Sequence, residues 1–206
     1  MSNQIETTFQ VQLENRDRQT VFWRAILVAP VVFFIATFAV DTWDSDWDSD
    51  WDSDWDTVTY GLFVLPVMLA LAFRGTYPSY LLAFNKSFFE LLNRVWAYIT
   101  LLNDQYPSIE SSNSVKITYP EINEGKSLSR GLSLIKWAMA IPLAIVGFVY
   151  ALYALLMLVL AWFNIIFSGN MPEVCADVLV RTSQYWNRIY GYAVLLVTDE
   201  YPTFSL

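Results

Sequence analysis

The chain has 206 residues, of which 55% are hydrophobic and 17% aromatic, with a mean hydropathy of +0.36. Histidine is absent and there is one cysteine, Cys175. These counts exclude an intramolecular disulfide, histidine general bases, and the histidine ligation on which haem and most zinc sites depend. The net charge of −8 is a local property: the eight aspartates between Asp41 and Asp56 account for all of it, and the remainder is neutral. No basic patch of the kind that binds nucleic acid is present.

In chain order, the first twenty residues are polar and no small-residue cleavage site follows the first apolar run, which reads as a retained span. Thr8–Leu13 alternates polar and apolar residues, the period of a strand. Apolar runs at about 22–40 and 57–74 follow, flanking a tract that begins Trp43-Asp44-Ser45-Asp46 and repeats through Trp55-Asp56. Spanning a hydrocarbon core takes roughly 20 helical residues, so both runs are candidate membrane helices. From Pro78 to about residue 104, Leu81, Phe84, Phe88, Leu91, Val95, Trp96, Ile99 and Leu102 recur at helical spacing. This predicts an amphipathic helix at the cytoplasmic interface or beneath the spans.

The same order then recurs. Ser114–Tyr119 alternates like a strand, the run at about 131–168 is apolar apart from Lys136, and a helix at about 172–198 follows Pro172. Asn93-Arg94 matches Asn187-Arg188, and Asp104 with Tyr106-Pro107 matches Asp199 with Tyr201-Pro202. Arg24 to Pro30 matches Lys136 to Pro142. The sequence therefore predicts two tandem units, 1–110 and 111–206, the first lengthened by the tryptophan–aspartate insertion at 41–57. Each unit is expected to be a transmembrane helical hairpin plus a cytoplasmic interfacial helix, preceded by a short strand. The fold class is an all-α membrane protein. On this reading the second run is cut near Val149–Ala154; one long kinked helix is the rival. The strands are expected to pair with each other or with a neighbouring subunit.

Lysine and arginine set orientation. Arg16, Arg18, Arg24 and Arg74 bracket the first hairpin, and Lys126, Arg130, Lys136 and Arg181 the second. Both termini are thus expected on the cytoplasmic side of a bacterial inner membrane, the acidic tract facing the periplasm or exterior, and a pseudo-two-fold axis along the membrane normal.

The run Ala161-Trp162-Phe163-Asn164-Ile165-Ile166-Phe167-Ser168-Gly169, with Pro172, Asn187-Arg188, Tyr192, Leu195-Leu196, Asp199 and Tyr201-Pro202-Thr203-Phe204-Ser205-Leu206, resembles the DUF4389 family of bacterial membrane proteins. The first unit resembles it more loosely, through Ala72-Phe73-Arg74-Gly75-Thr76-Tyr77-Pro78. The tract has no counterpart in that pattern. The resemblance implies an integral membrane protein with hairpins and interfacial helices, and it carries over no catalytic residue.

Candidate sites are few. In an extended tract Asp44, Asp46, Asp48, Asp50, Asp52, Asp54 and Asp56 share one edge, and hard oxygen ligands at that spacing suit Ca²⁺; the alternatives are a tryptophan stripe on the bilayer interface and a low-complexity loop grown by duplication. Arg94 and Arg188 are candidates for lipid-headgroup binding or for ion pairs with Asp104 or Asp199. Arg24 and Lys136 read as snorkelling residues, Asn164 as a possible bond between helices, and Cys175 as inert. No Walker, Rossmann or Ser-His-Asp pattern occurs, so no enzyme and no cofactor are expected. The expected function is a structural or accessory subunit of a larger membrane complex, or a self-assembling scaffold, with lipids, that complex or further copies of the chain as partners. The alternatives are a small channel or transporter built from parallel repeats and a periplasm-facing divalent-cation-binding protein.

Overall fold

The computed structural model describes residues 3–38, 64–110, 113–126 and 128–206. The elements run β1 (Glu6–Phe9), α1 (Arg18–Leu27), α2 (Ala29–Ala36), α3 (Val64–Arg74), α4 (Ser79–Ile99), β2 (Val115–Thr118), α5 (Leu132–Ser168) and α6 (Glu173–Ala193). The tract from Asp41 to Asp56 lies outside the described residues.

β1 and β2 form an antiparallel pair in the register Glu6↔Thr118 to Phe9↔Val115. They are four residues each, shorter than the alternating stretches in the sequence. Two strands alone are marginal. Here β1 packs on α6 and β2 on α4, so each strand leans on the helix of the other half.

α1 starts at an Asp17 N-cap whose carboxylate accepts from the N–H of Gln19 and Thr20. A break at Val28, just before Pro30, separates it from α2. α4 and α6 each begin immediately after a proline in extended conformation, Pro78 and Pro172, where a missing N–H removes no intrahelical bond. Both end at a turn that puts a leucine at positive φ, Leu101 (62°) beyond α4 and Leu196 (56°) beyond α6. Ordinary side chains seldom adopt that conformation. It persists because both leucines are buried, at 3% and 0% exposure. The predicted ends near 104 and 198 are shortened for this reason.

α5 departs most from expectation. It runs from Leu132 to Ser168 as one 37-residue helix, with Pro142 inside it, and ends at Gly169 in the left-handed conformation (φ 79°). The expected cut near Val149–Ala154 does not occur. That stretch is Val-Tyr-Ala-Leu-Tyr-Ala and offers no Gly, Pro, Asn or Asp to make a turn. α6 folds back antiparallel along it: Cys175 Sγ lies 4.0 Å from Met157 Sδ, the Tyr185 ring packs edge-on against Tyr150, and the Tyr192 hydroxyl meets Met139 Sδ at 3.4 Å. α6 is thus a core helix beside α5, not an interfacial helix below a hairpin.

The first apolar segment is no closed hairpin either. Its start meets the end of α5, where the Arg16 N–H donates to the Gly169 carbonyl at 3.0 Å and the Met171 N–H to the Leu13 carbonyl at 2.7 Å. Its end meets the start of α5, where a Cβ added at Gly75 would fall 2.5 Å from Arg130 Nε. A 37-residue helix is about 55 Å long at 1.5 Å per residue. The two ends of the first segment are therefore held apart by the length of α5, and the segments α1–α2–α3 and α5 run antiparallel. Joining two runs through an insertion does not require the chain to turn back; that assumption produced both hairpin expectations.

Two helical stretches, Arg18–Ala36 and Leu132–Ser168, are long and apolar enough to cross a membrane. The interior is made of α4, α6 and the inward stripes of the apolar segments. On α5 that stripe is Ser133, Lys136, Ala140, Leu143, Gly147, Ala154, Ala161 and Ile165, mostly small residues that let α6 approach. At Gly147 an added Cβ would fall 3.0 Å from both Tyr185 and Trp186 rings.

Candidate functional site

Two buried polar stations lie at opposite ends of the core. In the first, Asp104 receives Arg24 Nη2 at 2.5 Å and Arg16 Nη2 at 2.9 Å on one oxygen, while its other oxygen accepts the Asp17 N–H at 3.0 Å. Arg24 Nη1 also donates to the carbonyls of Tyr98 (2.8 Å) and Asn103 (3.0 Å), and its guanidinium lies 4.3 Å from the Tyr98 ring centroid. In the second, Asp199 receives Lys136 Nζ at 2.7 Å and the Ser129 N–H at 2.6 Å. Lys136 donates to the Thr198 carbonyl at 2.7 Å and lies 5.3 Å from the Tyr192 ring centroid.

Apart from Arg16, the partners in one station have counterparts in the other: Arg24 and Lys136, Asp104 and Asp199, Asp17 and Ser129, Asn103 and Thr198, Tyr98 and Tyr192. Between the stations Asn187 Nδ2 donates to Asn93 Oδ1 at 2.6 Å, a contact between residues 94 apart, the spacing of the sequence recurrence. Trp96 Nε1 donates to Ser183 Oγ, and at the matching positions Tyr190 packs against Phe89, centroids 6.0 Å apart.

Electrostatics separate the stations. The first holds two cations on one carboxylate. Burial pushes Arg16 down to about 10, opposed by Asp104 and reinforced by Arg24. Among the described residues, the Nε atoms of Arg16 and Arg24 have no hydrogen-bond partner. In the second, burial raises the Asp199 carboxyl, but the Lys136 and Ser129 hydrogen bonds and the Lys136 charge outweigh it and hold it below the usual aspartate value.

Arg94 and Arg188 do not pair with Asp104 or Asp199. Each holds the chain that follows its own station: Arg94 donates from Nε to the Ser108 carbonyl at 3.1 Å, and Arg188 donates to Thr203 Oγ1 at 3.0 Å and to the Ser205 carbonyl at 2.6 Å. Burial lowers both guanidinium pKa values. The ion-pair expectation for these arginines is thus corrected: Arg24, Lys136 and Arg16 take the carboxylates instead. Arg24 and Lys136 are 4% and 1% exposed, so they are buried anchors and do not snorkel. The signal for this was visible: each lies at matching positions ahead of a matching Pro, and each unit carries one matching aspartate. Arg16 had no counterpart in the second half and was missed as a partner.

Asn164 donates to the Leu160 carbonyl of its own helix at 2.9 Å, not across to a neighbour. Asp177 and Arg181, four residues apart on α6, form an exposed pair at 2.9 Å. Cys175 is buried, and burial pushes its thiol up. The calcium candidates Asp44, Asp46, Asp48, Asp50, Asp52, Asp54 and Asp56 lie outside the described residues; among the described residues no group of three or more metal-ligating side chains assembles. An apolar cavity of about 300 Å³ opens between α1, the end of α4 and α5, lined by Val21, Phe22, Ile99, Leu158 and Trp162 with Arg24 in its wall.

Residues 132–205 match the family model described as a domain of unknown function, DUF4389. The match covers 74 of the 206 residues, all in the second half of the chain. The matched stretch takes in α5, α6, the second station except Ser129, and the Arg188 contacts to the closing segment. Neither the curated proteins nor the solved structures contain a match to the chain.

Proposed function

We propose that the protein is a non-enzymatic membrane protein of the bacterial inner membrane, a structural or accessory subunit of a larger membrane complex or a self-assembling scaffold, with both termini on the cytoplasmic side. The single observation that carries this reading is the surface of α5. Only 17% of its most apolar stretch is buried, and Ile141, Ile145, Phe148, Leu152, Leu156 and Phe163 all stand exposed. A monomer in water rarely tolerates a continuous apolar surface of that length. Lipid, a protein partner or both must cover it.

The chain is also proposed to be a duplicated unit arranged about a pseudo-two-fold axis. The matched partners of the two stations, the Asn93–Asn187 contact and the twin positive-φ leucines support that reading, and the DUF4389 match lies within one unit. A non-enzymatic role is supported by what the buried charges do: Arg16, Arg24 and Lys136 are consumed in holding chain ends through carboxylates and carbonyls, and among the described residues none faces a cavity together with a nucleophile or a second carboxylate.

The test is purification of the full chain in mild detergent, followed by native mass spectrometry. A stoichiometric assembly, with itself or with a fixed partner, is expected. A lone monomer with no bound partner at any detergent strength contradicts the subunit reading.

A further inference from the structure

We infer that the two antiparallel apolar segments lie along one leaflet, in the membrane plane, with α4, α6 and the sheet on the aqueous side. This rests on the membrane reading above and replaces a crossing topology with a one-sided one. Three independent features of the molecule lead here.

The first is length. Leu134, Ile141, Phe148 and Leu155 recur every seven residues on one face of α5, and exposed apolar residues continue to Phe163 and Phe167. From Leu134 to Phe167 the stripe is about 50 Å long at 1.5 Å per residue. Fitting it inside a core of about 30 Å requires a tilt of roughly 50°, beyond the 0–40° range of membrane helices. Lying flat, the whole stripe contacts lipid with no mismatch.

The second is a charge pair in the wrong place for a crossing helix. Cys175 touches Met157 and Tyr185 touches Tyr150. Asp177 and Arg181, between Cys175 and Tyr185 on α6, are therefore level with the middle of α5. Their side chains are 57% and 54% exposed. If α5 crossed the bilayer, this outward-facing pair would lie in hydrocarbon, where charged side chains face a protein interior or a water-filled cavity instead. In the flat arrangement the pair is on the water side.

The third is the distribution of exposed arginines. Arg18 is next to Gly169 at the end of α5, whereas Arg74 and Arg130 are next to Gly75 at its start. Crossing segments would put these exposed cations on opposite faces of the membrane. In-plane segments put all three at one headgroup layer, where anionic lipids attract them. The same placement puts both chain termini on one side, as the charge pattern of the sequence requires, without any hairpin.

The experiment uses the full chain in a Cys175→Ala background, reconstituted in phosphatidylcholine–phosphatidylglycerol vesicles. Leu134→Cys, Leu152→Cys and Phe167→Cys, all at exposed positions, receive a nitrobenzoxadiazole label and are quenched by lipids with nitroxides at shallow or deep positions. The in-plane arrangement gives the three labels the same depth, with shallow-to-deep quenching ratios agreeing within twofold. Arg181→Cys reacts with a membrane-impermeant maleimide to at least half the extent seen after detergent addition. Polarised infrared dichroism of the unmodified protein puts the helix axes in the membrane plane. A deep label at Leu152 with shallow labels at Leu134 and Phe167, protection of Arg181→Cys, or helix axes along the membrane normal overturns the inference and leaves the membrane reading intact. A protein that fails to float with vesicles at all overturns the membrane reading itself, and this inference with it.

Discussion

The first apolar segment and α5 solve one packing problem in two ways. α5 is a single helix whose 37 residues need no stop until Gly169. The first segment reaches between the same two ends as α1, α2 and α3, with a break at Val28 and residues 39–63 between α2 and α3. The inner contacts are nonetheless alike, because Val28, Val31 and Ile35 share one cluster with Val64, Val67 and Leu71. What positions a half in this fold is the stations at its ends; the continuity of the helix between them is secondary. An uninterrupted helix holds its own ends at a fixed separation, whereas a broken one needs stronger anchors. The first station has two arginines on Asp104, and the second has one lysine on Asp199.

The sharpest way to break this comparison is to remove each carboxylate. Asp104→Ala strands two buried cations and Asp199→Ala one. Breaking a buried pair typically costs about 3–5 kcal/mol, and Asp104→Ala is expected at the upper end, with Asp199→Ala at the lower. Differential scanning fluorimetry in one detergent reads both. If Asp199→Ala is the more damaging, the anchors do not compensate for the broken segment.

A proline at Leu152 tests the continuity of α5. The residue is exposed at 49%, so packing contributes little and the cost is the lost backbone bond and the ring clash, about 3 kcal/mol or more. A loss below about 1 kcal/mol would mean that the helix tolerates a break there as the first segment does at Val28.

The recurrence of motifs in the sequence placed α4 and α6 to within a few residues and singled out Arg24, Lys136, Asp104 and Asp199 without pairing them. It also pointed to pairing of the strands with each other. Three things were not legible. The orientation of each apolar run depends on whether an insertion turns the chain back, and hydropathy is identical for a hairpin and a straight rod. The ion-pair partners offered for Asp104 and Asp199 were Arg94 and Arg188, because the sequence does not show that each carboxylate folds back toward Arg24 or Lys136. The match of Asp17 with Ser129 was also invisible: these residues share no side-chain chemistry, and only their backbone N–H groups do the common work.

The contact between the halves gives a smaller effect. Asn187→Ala leaves Asn93 Oδ1 and Thr7 Oγ1 without their shared donor. Leaving a buried group unsatisfied costs about 1–3 kcal/mol. A double-mutant cycle of Asn93→Ala with Asn187→Ala should give strong coupling; additivity within about 0.5 kcal/mol would show that this contact does not help to hold the halves together.

Acid titration distinguishes the stations most finely. Asp199 is held below its ordinary value of 3.8, so its folded form binds a proton less readily than its unfolded form. The stability it contributes is fully present above pH 3.8 and is lost as pH falls through the lower folded value. Asp199→Asn removes that dependence. Wild type and variant should therefore differ by a constant amount from pH 5 upward and converge as the pH drops below 3.8, when followed by thermal unfolding between pH 2.5 and 7. Curves that stay parallel throughout would mean that Lys136 and Ser129 hold Asp199 by geometry without favouring its charged form, and the second station would then resemble a neutral hydrogen-bonded clasp more than the doubly charged first one.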